Sequence, residues 1–251
     1  IKQIIDYLNH DIIPVVPRIG SLGASGDLAP LSHMALSLIG EGDVWTETGD
    51  MPTHNILNQK GLIPVELGAK DGLSLINGTS QMCAFISESQ IALSNILPMA
   101  DLISCVTIDA RECSIKPMDK RVHEVRPHSG QKLIAKRITE LLKGSEILQS
   151  HSNCSKVQDA YSFRCIPQVH GAVYEKYKIL EKTIQIEINS ATDNPLVFPD
   201  SSLSLKEQVV SQGNFHGEIL GITSDNMSHA LFELGCISER RIDQVVDPVR
   251  S

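Results

Sequence analysis

Gly20-Ser21-Leu22-Gly23-Ala24-Ser25-Gly26-Asp27-Leu28-Ala29-Pro30 is the stretch around which the rest of this chain is organised. Glycines at 20, 23 and 26 predict a tight loop, because glycine reaches the φ > 0 and close-approach geometries that other residues resist. Asp27 suits a helix N-cap, and Pro30 is tolerated in a helical first turn, where amide donors lack partners. Leu31, Met34, Ala35, Leu38 and Ile39 then recur at helical spacing, so the loop feeds a helix. The run is not a nucleophile elbow: G-x-S-x-G would need glycine at 27, where Asp27 stands.

Within a sharply bent loop, Ala24-Ser25-Gly26 permits an unusual reaction. The amide nitrogen of Gly26 attacks the carbonyl carbon of Ala24, and loss of water closes a five-membered imidazolone. Dehydration of Ser25 then leaves an exocyclic methylene. Glycine supplies an unhindered ring-closing nitrogen and serine supplies the β-leaving group. The product is a strong electrophile that no ordinary side chain provides, and the helix N-terminus that follows favours negative charge nearby. Taken alone, an Ala-Ser-Gly is a plain turn; here the surrounding sequence reverses that.

The 251 residues could form one large domain or two ordinary ones. A hydrophobic content of 41% supports a sizeable core, and 4% aromatic residues suit closely packed helices. A formal net charge of −8 gives no basic footprint, so no nucleic-acid partner is expected. No apolar run is expected to reach membrane-spanning length, so no membrane partner is expected either. There is no secretory signal, and the chain opens at Ile1 inside a helical pattern and stops at Ser251 after another. The expectation is a single mainly helical domain, 1–251, forming the central part of a longer polypeptide. Six cysteines without a CxxC pair read as scattered, reduced, mostly buried thiols of a cytoplasmic protein. Nine histidines include no HxxxH or HExxH spacing, so no metal is expected; His123 and His128 flank a proline and look like loop residues.

Along the chain, Ile1, Ile4, Ile5 and Leu8 end a helix, and Ile12 to Pro17 is a short extended run. Residues 43–67 suggest a small β excursion with a helical turn inside, a surface elaboration. Gln81 to Ile108 reads as a long buried helix, kinked or interrupted at Pro98. Asn77, just before it, is either a cap or a donor and acceptor for a ligand. Arg111 to Gln131 reads as a loop-rich connection, and Lys132 to Leu142 as an amphipathic helix closed by Gly144. Gln158, Tyr161 and Arg164 recur every three residues, which on a helical turn puts them on one side. They fit either a clamp for a zwitterionic amino acid, with Arg164 taking the carboxylate, or a polar face in a subunit contact. A long helix from about Pro167 to Ser190 is stopped by Thr192-Asp193-Asn194-Pro195. In the last element Leu220, Thr223, Met227, Leu231, Leu234, Ile237, Arg241 and Val245 form a core stripe on a helix of ~30 residues, the kind that packs in bundles.

Four segments carry a resemblance: the organising loop; Leu-Ile-Asn-Gly-Thr; Gln-Asp-Ala-Tyr-Ser-Phe-Arg-Cys with Pro-Gln-Val-His-Gly; and Asn-Ser-Ala-Thr-Asp-Asn-Pro with Gly-Asn-Phe-His-Gly-Glu. In this order they resemble the aromatic amino acid ammonia-lyases over nearly the whole chain, and Tyr-Ser-Phe-Arg-Cys and Pro-Gln-Val-His-Gly are most similar to the histidine ammonia-lyase branch. The resemblance implies a mainly α long-helix bundle of the ammonia-lyase/fumarase-like type, assembled as a homotetramer with active sites drawn from more than one subunit. It implies a 4-methylidene-imidazol-5-one formed autocatalytically from Ala24, Ser25 and Gly26, with no dissociable cofactor. Asn77 and Tyr161 would lie beside it as catalytic residues, Arg164 would bind the substrate carboxylate, and Gln158 and Phe215 would line the pocket. The reaction implied is elimination of ammonia from L-histidine to give trans-urocanate, whose barely acidic β-hydrogen and poor leaving group explain the need for an electrophile. The family's upstream catalytic tyrosine falls outside this chain and Tyr161 does not replace it, so the segment alone is expected to be inactive and poorly folded. Alternatives are a phenylalanine or tyrosine ammonia-lyase, an aminomutase on the same scaffold, or a helical assembly protein without the chemistry.

Overall fold

The computed structural model describes residues 1–23, 26–152, 157–200 and 202–247. The chain is mainly α and divides into two compact units, Ile1–Phe85 with Ile186–Gly221, and Ile86–Gln185 with Ile222–Ser251. Three long helices dominate: α5 (Ser80–Ala110), α10 (Ile166–Glu187) and α11 (Glu218–Val246).

In the first unit, α1 (Lys2–Asn9), α2 (Leu28–Leu38), α3 (Thr53–Lys60) and α4 (Asp71–Ile76) accompany an antiparallel sheet of β1 (Ile13–Pro14), β2 (Asp43–Thr46) and β3 (Gly49–Pro52). Register pairs Ile13 with Trp45 and Val44 with Met51. Gly49, at φ +125°, closes the β2–β3 turn in a backbone region that other residues rarely enter. The β excursion at 43–67, with its helical turn, is present, but it is no surface elaboration. Val44 and Leu57 are buried in one core cluster with Tyr7, Ile12 and Leu38. Alternation too short to establish a pattern in the sequence is decided here by tertiary packing. A second hairpin, β4 (Leu196–Val197) with β5 (Val209–Val210), pairs Leu196 with Val210.

In the second unit, α6 (Lys120–Glu124), α7 (Ser129–Leu141), α8 (Glu146–Ser150) and α9 (Tyr161–Arg164) surround a core of Cys105, Ile108, Met118, Ile134, Ile138, Phe163 and Ile166. His123 is not a loop residue. It lies buried in α6, bonded by Nε2 to the Pro117 carbonyl and by Nδ1 to Gln131, both at 3.0 Å. His128 is the N-cap of α7. The predicted stripe on α11 is confirmed, with Leu220, Met227, Leu234, Ile237 and Arg241 buried, while Val245 near its end is exposed.

Helix α5 is not interrupted at Pro98, and it is buried on one side only: Leu93, Leu97, Cys105 and Ile108 are covered, while Ile91, Met99, Ile103 and Val106 are exposed. A helix apolar all round reads the same in sequence whether or not its own chain covers both sides. The helical run Asp71–Ala110 also contains a stretch long and apolar enough, by length and composition, to cross a membrane, contrary to the expectation of none. A core helix meets the same two criteria of length and composition.

Candidate active site

The organising loop is bent as the sequence predicts. Ser21 Oγ donates to the Asp27 carboxylate and accepts from Gly23 N at 3.3 Å, tying the two ends of the bend together. Asp27 sits at the N-cap position of α2 and is buried, but its carboxylate makes no capping bond; it is spent on Ser21 instead. Gly26 has φ +98°, a conformation that L side chains rarely adopt. A Cβ there would stand 3.3 Å from Asn77 Oδ1 and 3.4 Å from Gly78 N. Ala24 and Ser25 lie outside the described residues. The third member of the predicted electrophile therefore fits on two counts: its nitrogen belongs to an unsubstituted residue in a sharp bend, and the space beside it is lined by Asn77.

Asn77 ends α4 in an extended conformation, its backbone N–H returning to the Leu73 carbonyl. Its Nδ2 donates to Asp193 Oδ1 at 3.2 Å. Asp193 also accepts from Lys70, from Ser74 Oγ at 2.9 Å and from Asn194 N at 2.7 Å. Burial alone would raise the Asp193 carboxyl; the bonds from Lys70, Asn194, Ser74 and Asn77 outweigh it and hold it below the usual carboxylate range. Gly78, at φ +110°, is pressed so closely on Thr192 that a side chain there would collide with the Thr192 backbone. Gln212 joins in, donating through Nε2 to the Asp193 carbonyl at 2.6 Å and through its backbone N–H to Asn194 Oδ1 at 2.7 Å. Phe215 is half-buried in the turn before α11, in the same unit. Sequence reasoning passed over Lys70, Asp193 and Gln212; the one signal for Asp193 was its place in Thr192-Asp193-Asn194-Pro195, read as a helix stop.

In the second unit, Tyr161 and Arg164 occupy the single turn of α9, whereas Gln158 precedes it. The expectation of three side chains on one helical face is thus corrected. The Asp159 carboxylate accepts from Ser114 N at 2.7 Å, and Ala160 is extended at φ −61°, ψ 152°, so the helix starts only at Tyr161. The Arg164 guanidinium lies over the Tyr161 ring, 4.8 Å from its centroid, a favourable cation–π placement. Among the described residues, the buried Arg164 Nε has no hydrogen-bond partner. Gln158 and Arg164 both line a cavity of about 520 Å³ that Lys116 and His151 also border. A buried cationic donor without a partner is costly unless a ligand supplies one. Gly26 and Asn77 thus meet within one unit, and Arg164 meets Tyr161 and Gln158 within the other.

This chain belongs to the aromatic amino acid lyase family, whose description matches residues 1–251. It is 47% identical to the histidine ammonia-lyase of Myxococcus xanthus (strain DK1622) over 244 residues, 97% of this chain and 47% of that protein. Among solved structures it is similar to histidine ammonia-lyase from Trypanosoma cruzi, with a TM-score of 0.84 and 38% identity over 100% of this chain and 46% of that one. It is also similar to tyrosine aminomutase from Streptomyces globisporus, with a TM-score of 0.86 and 35% identity over 98% of this chain and 49% of that one. The chain spans about half the length of the curated relatives it matches.

Proposed function

We propose that the protein carrying this chain is a carbon–nitrogen lyase that eliminates ammonia from L-histidine to give trans-urocanate. The observation that carries the reading is the left-handed bend at Gly26 packed on Asn77, inside the Gly-Ser-Leu-Gly-Ala-Ser-Gly-Asp loop. Relatives named histidine ammonia-lyase at 42–47% identity support histidine as the substrate. A 4-methylidene-imidazol-5-one derived from Ala24, Ser25 and Gly26 would supply the electrophile that makes the amine or the ring a better handle for elimination. Asn77 Oδ1 is the polar group beside Gly26. Arg164, whose Nε has no partner among the described residues, offers its guanidinium to the substrate carboxylate, with the Tyr161 ring centroid 4.8 Å from the guanidinium carbon. Tyr161 is exposed and Gln158 borders the same cavity as Arg164; Phe215, half-buried before α11, is the proposed apolar pocket residue of the first unit. A homotetramer is the proposed assembly, with the exposed apolar side of α5 available to other copies. The cytoplasm is the proposed compartment, in keeping with cysteines that are all free among the described residues.

The test presents the protein, in its full natural length, with histidine, phenylalanine and tyrosine, and determines its intact mass. Loss of two waters from the chain and urocanate as product support the reading. Cinnamate or coumarate would move it to another ammonia-lyase. A β-amino acid would make it an aminomutase, the reading that the likeness to tyrosine aminomutase favours second. An unmodified mass without turnover would leave a helical assembly protein.

A further inference from the structure

An asparagine amide can sit either way round, and in this site one end is already fixed. Asn77 Nδ2 donates to the Asp193 carboxylate, which can only accept when ionised. That leaves Oδ1 facing Gly26, 3.3 Å from where its Cβ would stand; turning the amide over would set oxygen against oxygen at Asp193. The carboxylate is itself immobilised. Oδ2 takes Lys70 Nζ and Ser74 Oγ, and Oδ1 takes Asn194 N as well as Asn77. Contact between Gly78 and Thr192 fixes the register of the two segments.

We propose that Asp193, braced by Lys70, is a positioning residue that turns the Asn77 carbonyl oxygen toward Gly26 and so sets how completely Ala24, Ser25 and Gly26 cyclise. The inference rests on the electrophile proposed above. Ring closure forms the bond from Gly26 N to the Ala24 carbonyl carbon. The Ala24 oxygen leaves as water with the hydrogens of the Gly26 and Ser25 amide nitrogens, and a second water takes the Ser25 hydroxyl and its Cα hydrogen. With its oxygen facing Gly26, Asn77 offers an acceptor on the side from which the departing amide hydrogen can be taken up, whereas a donor there would oppose its loss.

The experiment measures, by intact mass, the fraction of freshly made full-length chains that have lost two waters, with thermal melting as a folding control. The variants are Asn77→Ala, Asp193→Ala, their double mutant, and Lys70→Met. If Asp193 acts through Asn77, both single variants fall by about tenfold and the double mutant falls no further, the signature of coupled residues. Lys70→Met falls in the same direction by less, and it decides the matter if Asp193→Ala does not fold. Full dehydration in Asp193→Ala or Lys70→Met would overturn the proposal, as would a double mutant reduced by the product of the two single effects. An unmodified wild-type mass would overturn it together with the electrophile itself.

Discussion

Gly130 and Gly171 meet backbone to backbone where α7 crosses α10. A Cβ on Gly130 would run into the Gly171 carbonyl, and one on Gly171 would lie 2.6 Å from Gln131 Cα and 2.8 Å from the Gly130 carbonyl carbon. Backbone cannot swing aside as a long side chain does. Helix propensity alone favours Gly171→Ala by about 1 kcal/mol, but overpacking costs about 1–3 kcal/mol, and a clash with main chain belongs at the upper end. Gly171→Ala should therefore lower the denaturant midpoint with an unchanged m-value. A midpoint at or above wild type would show that the helices can separate freely.

Glu175 reaches from α10 to the start of α7, where its Oε1 accepts from Ser129 Oγ and from Gly130 N, both at 2.6 Å. The Ser129 bond first, and then the Gly130 amide, hold this carboxyl below its ordinary value of 4.5. A depressed carboxylate contributes stability above the unfolded-state pKa and loses it as pH falls through the folded-state value. Glu175→Ala should cost about 1 kcal/mol at neutral pH, the scale of a helix cap. In acid below the usual carboxylate range, variant and wild type should melt together. A gap that persists there would mean that Glu175 acts by packing.

The buried Asp101 carboxylate accepts from the Arg137 guanidinium and bonds His170 Nδ1 at 2.7 Å. Arg241, also buried, sits 3.4 Å from His170 Nε2 and donates to Ser238 Oγ at 3.0 Å. Burial lowers Arg241 to about 10, which leaves it charged at neutral pH. Removing the carboxylate strands Arg137 and leaves the buried His170 Nδ1 without its partner, so Asp101→Ala should cost about 3–5 kcal/mol in chemical unfolding. A loss under about 1 kcal/mol, the scale of a surface pair, would show that water reaches the cluster.

His170 itself gives a pH signature. Burial lowers its pKa below the ordinary 6.5; the Asp101 bond opposes this and Arg241 adds to it. As pH falls through 6.5 the unfolded chain takes up a proton that the folded chain refuses, so stability falls with it. His170→Gln should flatten that part of the stability profile, whatever it does to stability at higher pH. An unchanged acid slope in the variant would assign the loss to other groups.

These two clusters mark the limit of what the sequence makes legible. Periodicity was enough for α11, because Leu220, Met227, Leu234 and Ile237 declare their buried side within one element. The bend at Gly26 was legible because left-handed backbone is a local property of glycine. The pairing of β1 was not: Ile12 to Pro17 reads as extended, but its pairing with β2 is set by a core shared with Leu38 and Leu57. His123 followed two histidine-rich loop cues and lies in a buried helix because Gln131 and the Pro117 carbonyl satisfy both ring nitrogens. Lys70 and Asp193 lie too far apart in sequence for any spacing rule. Gln158 failed for the opposite reason, since a spacing of three looks helical until Ser114 N claims the Asp159 carboxylate.

Arg164 carries the prediction closest to function. Its buried Nε has no partner among the described residues, and its guanidinium carbon lies 4.8 Å from the Tyr161 ring centroid. A planar fork so placed binds a carboxylate through two parallel bonds, whereas a lysine keeps the charge and loses the fork. Losing one charge-assisted bond costs about 1.5–3 kcal/mol, so Arg164→Lys in the full-length enzyme should raise KM for histidine by about 10- to 100-fold. If the arginine binds ground state and transition state alike, kcat changes little. Arg164→Met should be worse than Arg164→Lys in KM, and histidinol, which lacks the carboxylate, should bind wild type and Arg164→Met equally. A KM within about twofold of wild type in both variants, well under one hydrogen bond's worth, would remove Arg164 from the substrate and return the Tyr161–Arg164 turn to a purely structural role.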